Sequence, residues 1–241
     1  MRIYEVPIAH RGLHDEEATE NSIAAFKKAI EAGYNIETDV RLSKDGKIIV
    51  FHDYDMGRLL HKSGAIEGLT YAELTNGNYK LSNGENVPLF EDLLKLADGK
   101  VEILCELKSR NFYNFRLEEA VYQMIKDKPW VKIQSFNPLS VEWFRKNAPE
   151  VMRGQLATAA HNRAMKIMYR FVGPFVMLKK TKPQFLAFDV KYLPSDFVKD
   201  IVEKEKLKLI TWTVRTKTDI ENAKKMNADN IIFENFIPEN I

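Results

Sequence analysis

Short β-branched or apolar runs alternate along the chain with stretches whose apolar positions recur at helical spacing. The runs cover residues 4–9, 35–40, 101–107, 131–134, 152–157, 185–190, 207–214 and 230–233. Between them lie amphipathic stretches at 22–32, 89–97, 117–126, 139–147, 195–205 and 218–226, most opening on the Ser, Thr, Asp, Asn or Pro that starts helices. Eight strand-then-helix units of roughly 30 residues each predict an α/β fold of the (β/α)8 barrel (TIM barrel) type. A doubly wound open sheet shares this alternation, because periodicity does not encode strand order. No Gly/Ser/Pro-rich linker divides the chain, so residues 1–241 read as a single domain.

One stretch breaks the rhythm. The second strand, 35–42, meets Lys44-Asp45-Gly46-Lys47, after which 48–52 is again strand-like. Asp-Gly is the preferred centre of a two-residue hairpin turn. With Asp45 and Gly46 as that turn, Asp39 stands directly opposite His52, on the same face. From about 53 to 87 there is little periodicity, which predicts a small insertion in the connection after strand two.

Charge and composition narrow the function. The chain of 241 residues carries 36 Lys+Arg against 34 Asp+Glu, a net charge of +2, with no basic field suited to nucleic acid. The lone cysteine, Cys105, excludes an intrachain disulfide and a cysteine-rich zinc site and fits a reducing, cytoplasmic compartment. No cleaved signal and no transmembrane span is expected, since neither an apolar leader nor a run of about 18 apolar residues occurs.

Glu37 and Asp39 sit two apart on a strand and leave the same side, and Glu106 and Lys108 repeat the arrangement on strand three. Near the C-terminal mouth of a barrel such acids face a metal or substrate, and carboxylates without cysteines favour Mg2+ or Ca2+ over zinc. The same spacing also permits ion pairs with Lys108 and Arg41, or solvation. His10 and Arg11 end strand one before Gly12, where a histidine serves as acid, base or nucleophile and an arginine binds phosphate or carboxylate. A packed histidine with one satisfied hydrogen bond fits the position equally. His52 gains weight from the expected Asp39 opposite it, whereas His14, His61 and His161 have no such geometry.

Together these pieces resemble the glycerophosphodiester phosphodiesterases. The resemblance runs through Ala9-His10-Arg11-Gly12, Glu20-Asn21-Ser22 with Ala25-Phe26 and Ala29, and Gly33 with Ile36-Glu37-Thr38-Asp39-Val40. It continues in Lys44-Asp45-Gly46 and Val50-Phe51-His52-Asp53, then in Glu106-Leu107-Lys108, Gln134-Ser135-Phe136 and Trp212-Thr213-Val214. It implies a barrel with a small insertion after strand two and metal-dependent hydrolysis of glycerophosphodiesters to glycerol 3-phosphate and an alcohol. It further implies Glu37, Asp39 and Glu106 as ligands of one divalent cation, His10 and His52 as an acid/base pair, Arg11 and Lys108 on the phosphate, and Trp212 lining the glycerol or leaving-group side. The family's usual Pro-Glu-Asn-Thr reads Thr19-Glu20-Asn21-Ser22 here, and its Ile-Ile-Thr-Asp reads Ile231-Ile232-Phe233-Glu234. Alternatives are a lysophospholipase-D-like activity and a non-catalytic barrel that binds phospholipid headgroups. Residues 163–182, an apolar middle with basic flanks, read either as a peripheral membrane contact or as an outer helix of the barrel.

Overall fold

The computed structural model describes residues 2–110, 113–158 and 174–238. Nine strands form one sheet: β1 (Ile8–Ala9), β2 (Asn35–Leu42), β3 (Ile48–Val50), β4 (Ile103–Leu107), β5 (Val131–Ser135), β6 (Arg153–Ala157), β7 (Phe185–Asp189), β8 (Lys208–Val214) and β9 (Asn230–Phe233). All but β3 are parallel, and β1 pairs with both β9 and β2, which closes the barrel. The helices are α1 (Ile23–Glu31), α2 (Gly57–Leu60), α3 (Tyr71–Leu74), α4 (Phe90–Ala97), α5 (Arg116–Ile125), α6 (Pro138–Asn147), α7 (Pro174–Thr181), α8 (Asp196–Glu205) and α9 (Lys217–Lys225). Their starts follow the expected signals: Ser22, Ser195 and Thr216 each accept a hydrogen bond from a backbone N–H of the first turn, and Asn137, just before Pro138, accepts one from the Leu139 N–H.

Two apolar layers hold the barrel. Outside the strands, Ile36, Val40, Ile103, Cys105, Ile133 and Ile231 pack against Phe26, Leu93, Val121 and Phe144 of the helices. Inside lie Ile8, Leu104, Leu156, Phe185, Ala187, Ile210 and Ile232, and the 3-10 turn Arg2–Tyr4 pushes Ile3 into the same interior. The expected first strand, 4–9, is therefore shortened to two residues, because its beginning folds across the N-terminal end of the barrel. Phe185 fits because β6 carries Gly154, where a Cβ would come within 2.0 Å of the Phe185 ring.

The hairpin corrects one expectation. Val40 pairs with Val50, Arg41 with Ile49 and Leu42 with Ile48, and the Phe51 N–H donates to the Asp39 carbonyl at 3.0 Å. Asp39 thus stands opposite Phe51, and His52 lies past the end of the ladder. The cause is the loop. The Gly46 N–H donates to Ser43 O at 2.9 Å, Gly46 is left-handed at φ +79°, and the Ser43 N–H donates to Lys47 O at 2.9 Å. This is a turn followed by a glycine bulge, whose additional residue shifts the pairing by one relative to a two-residue turn.

The insertion after β3 carries its own small core. Met56, Leu60 from α2, Ile66, Leu74 from α3, Leu81 and Val87 are buried against Ile49 and Phe51. No helix of the described residues is long and apolar enough to cross a membrane. Of the basic-flanked segment, 163–173 lies outside the described residues; its end belongs to α7, with Leu178 and Thr181 buried and Lys180 paired with Glu142 of α6 at 3.1 Å.

Candidate active site

The sequence-derived residues converge on the C-terminal mouth. A cavity of about 410 Å³ is lined by His10, Arg11, Glu37, His52, Glu106, Lys108 and Trp212, with Gln134, Phe136 and Arg215. Asp39 lies beneath it, fully buried.

Strand alternation builds the acidic floor. Glu37 and Asp39 point inward from β2, and Glu106, paired in register with Asp39, points inward from β4. One oxygen from each of the three carboxylates lies within 4.8 Å of the others. The protein balances this charge with its own cations. Lys108 Nζ is 3.0 Å from Asp39 Oδ1 and 2.5 Å from Glu106 Oε1, and Arg11 Nε is 3.3 Å from Asp39 Oδ2. Asn21 Nδ2 donates to Asp39 at 2.9 Å, while the Thr38 hydroxyl donates to Asn21 Oδ1 at 2.9 Å.

These neighbours split the titration of the three acids. Burial raises Asp39, but Lys108, Arg11 and His52 outweigh it and hold Asp39 well below the usual carboxylate range. Glu37 goes the other way, pushed well up by burial and then by Asp39 and Glu106. Glu106 is raised too, by burial first, against the opposing pull of Lys108. Three desolvated carboxylates, two of which burial holds back from ionising, are the donor set a hard divalent cation needs. The residues present fit such an ion.

His10 follows β1, its N–H donating to the Phe233 carbonyl at 2.9 Å. Its Nδ1 bonds to Glu234, and its Nε2 points toward Glu37 at 3.9 Å. Burial lowers its pKa, opposed by the Glu234 bond. Arg11 adopts a left-handed backbone, φ 56°, which turns its N–H onto Glu37 Oε2 at 3.2 Å and sends its side chain to Glu20 at 2.6 Å. Gly12 allows the loop to press on α1, since a Cβ there would meet the Ala25 carbonyl carbon at 2.9 Å. His52 is oriented by Asp53, its Nδ1 2.7 Å from Oδ1, and Asp53 is held by Arg58 Nε at 2.7 Å. The sequence assigned that orienting role to Asp39, which acts on His52 only through its charge, raising a pKa that burial lowers. Trp212 sits edge-on to Phe136, ring centroids 5.5 Å apart, and forms the apolar wall.

Several residues of the site carry no role in the sequence reading. Glu234 anchors His10, lies 3.6 Å from His14 Nε2 and receives Arg215 Nε at 2.5 Å. His10, His14 and Glu234 form a second group of potential metal donors. Inward alternation over Asn230, Ile232 and Glu234 was the available signal for this acid. Gln134, paired in register with Glu106, is buried with neither amide atom bonded among the described residues. The Glu20–Arg58 pair, 2.6 Å apart, ties the loop after β1 to the insertion and had no local signature. His61 caps α2 in a left-handed conformation, away from this cavity, and His161 lies outside the described residues.

A closed parallel barrel whose mouth combines a carboxylate triad, two carboxylate-oriented histidines and two half-buried cations defines a (β/α)8 barrel with groups able to hold a metal ion and an anion. Residues 10–237 match the model of the glycerophosphoryl diester phosphodiesterase family, and the chain belongs to that family. It is 31% identical over 238 residues to a glycerophosphodiester phosphodiesterase of Caldanaerobacter subterraneus, covering 93% of this chain and 92% of that protein. A crystal structure of a glycerophosphodiester phosphodiesterase from Parabacteroides distasonis superposes with a TM-score of 0.77 at 28% identity, covering 95% of this chain and 92% of that one. A phosphodiesterase from Oleispira antarctica, solved with the product sn-glycerol-3-phosphate, shares the fold at a TM-score of 0.78 and 22% identity, covering 96% and 94% of the two chains.

Proposed function

We propose that this protein hydrolyses glycerophosphodiesters to glycerol 3-phosphate and an alcohol. The observation that carries the reading is one cavity where a buried carboxylate triad, Arg11, Lys108 and two histidines, each oriented by its own carboxylate, meet. Glu37, Asp39 and Glu106 would hold one Mg2+ or Ca2+, which supplies positive charge against the extra negative charge of the phosphorane-like transition state. Arg11 and Lys108 contact the phosphate and orient it. Trp212 and Phe136 cover the glycerol carbons, and the unpaired Gln134 amide meets a glycerol hydroxyl.

His10 is more deeply buried than His52, and burial lowers its pKa, which favours the neutral ring that a base needs. With Nδ1 held by Glu234, its Nε2 takes the proton of the attacking hydroxyl, of water or of the substrate's own glycerol, as that oxygen bonds to phosphorus and the bond to the leaving alcohol breaks; a cyclic phosphate formed by the second route is opened by water. His52 stands at the more open side, its side chain 31% exposed; burial lowers its pKa as well, but the Asp39 charge and the Asp53 hydrogen bond oppose that pull and favour the protonated ring that gives a proton to the leaving alcohol. The single buried cysteine suits a cytoplasmic setting.

The test is to incubate the protein with glycerophosphocholine and either cation and to follow products by phosphorus NMR. Glycerol 3-phosphate and choline are expected, in preference to products from lysophosphatidylcholine. Binding of either lipid headgroup without turnover would leave only the non-catalytic alternative.

A further inference from the structure

A second cavity, about 340 Å³, adjoins the first at the barrel mouth and shares Lys108 with it. Its walls come from the hairpin after β2 (Ser43, Lys44), the segment after β4 (Ser109, Arg110) and the start of α5 (Asn114, Arg116). Among the described residues Lys44, Arg110 and Arg116 have no carboxylate at ion-pair distance, while the one acid of the wall, Glu67, is occupied by Arg41 at 2.7 Å. The groove wall therefore carries more cationic than anionic side chains, with Arg110 and Arg116 outside any ion pair among the described residues.

One of these cations is held in place, and a second lies beside the hairpin turn. The Arg110 guanidinium carbon lies 4.0 Å from the centroid of the Tyr54 ring, so the insertion fixes the plane of the guanidinium. Arg116 lies against the hairpin turn, its Nη2 3.5 Å from the position a Cβ on Gly46 would take. A guanidinium stacked on a ring keeps its N–H edge for a planar or tetrahedral oxyanion.

The groove is also on a defined side of the site. His52 follows the hairpin above β2, and its carbonyl accepts from Arg41 Nη2 at 2.7 Å, the same arginine that holds Glu67 of the groove wall. Trp212 projects from β8, on the far side of β9 and β1 from β2. With the glycerol against Trp212, as proposed above, the other ester arm would extend toward the β2 side, where His52 and the groove lie.

We infer that the groove lined by Lys44, Arg110 and Arg116 binds an anionic group, a second phosphate in particular, carried by the leaving alcohol of the glycerophosphodiester. The inference rests on the hydrolase reading above and specifies its substrate class. Kinetics on two substrates test it: glycerophosphocholine, whose leaving alcohol is cationic, and bis(glycerophospho)glycerol, whose leaving alcohol bears a second phosphodiester. In Arg110→Gln/Arg116→Gln, KM for the doubly anionic substrate rises about tenfold, the factor that 1.4 kcal/mol represents, with kcat unchanged. KM for glycerophosphocholine stays the same or falls. An equal shift for both substrates, or none, overturns the inference. If the wild-type protein turns over neither substrate, the hydrolase reading fails by itself. The groove is then judged by calorimetry of bis(glycerophospho)glycerol on chelator-treated protein, where about tenfold weaker binding by the variant supports it and equal affinity overturns it. Phosphate binding that weakens in the variant while both KM values hold would assign the groove to free phosphate and would equally overturn the substrate claim.

Discussion

Nζ of Lys108 lies 3.0 Å from Oδ1 of Asp39, so a fully buried carboxylate of the site is neutralised by a side chain of the same barrel two residues beyond Glu106. Lys108 thereby serves the acids and, from the same position, faces the cavity. Replacing it with Met leaves two buried carboxylates with less positive charge, and losing one partner of a buried pair costs about 3 kcal/mol. Lys108→Met should therefore lower the melting temperature in chelator, and saturating Mg2+ or Ca2+ should recover much of the loss. Thermal scans with and without cation check this; an unchanged transition in chelator would contradict the pairing.

Glu37 couples the cation to protons. Its raised pKa means that the folded, metal-free protein keeps this proton above 4.5, the ordinary value. The proton stabilises the fold fully below 4.5, and that contribution is lost as pH rises through the folded pKa. Asp39 and Glu234 are depressed, so their contribution is present above their ordinary values and is lost as pH falls. A cation binds the ionised form of Glu37, so it must expel the proton. Calorimetric titration in two buffers of different ionisation enthalpy should report proton release, with affinity rising as pH rises. Buffer-independent heats below the raised pKa would remove Glu37 from the ligand set.

The two histidines should fail together. His10→Ala and His52→Ala are each expected to lower kcat by about 100-fold or more, and the double variant by far less than the product. Asp53→Asn, which leaves His52 in place but weakens its hold, should cost about 10- to 100-fold. Near-normal kcat in Asp53→Asn would show that the 2.7 Å contact does not orient the ring.

The barrel interior gives a prediction independent of the chemistry. A Cβ on Gly154 would lie 2.0 Å from the Phe185 ring, so Gly154→Ala forces either strand or ring to move. The expected loss is about 3 kcal/mol, and Phe185→Leu in the same chain should restore part of it. Denaturant unfolding of the single and double variants measures both; additive losses would show that the two residues do not share the space.

Much of this was legible in the chain because strand and helix periods differ. The inward set Glu37, Asp39, Glu106 and Lys108 follows from two-residue alternation, and the structure places all four at one mouth. The hairpin register was not legible, because Asp45-Gly46 serves either a two-residue turn or a bulged one, and only the Ser43 backbone contacts decide between them. Hence the partner of His52 is Asp53 rather than Asp39. The insertion hid its core because α2 and α3 are four residues each, too short to show a period. Glu234, seen only as a departure from the family's motif, and Arg58 received no role because their partners, His10 and Glu20, lie 224 and 38 positions away.

The central claim is that the Glu37, Asp39 and Glu106 carboxylates hold the cation on which hydrolysis depends. Its most direct test is turnover of glycerophosphocholine by protein stripped of metal, followed by titration with Mg2+ or Ca2+. Activity should be absent at the start and return saturably with one ion per chain, and Glu106→Gln should require about tenfold more cation or worse. Full turnover by protein shown to be metal-free, in excess chelator, would contradict the account.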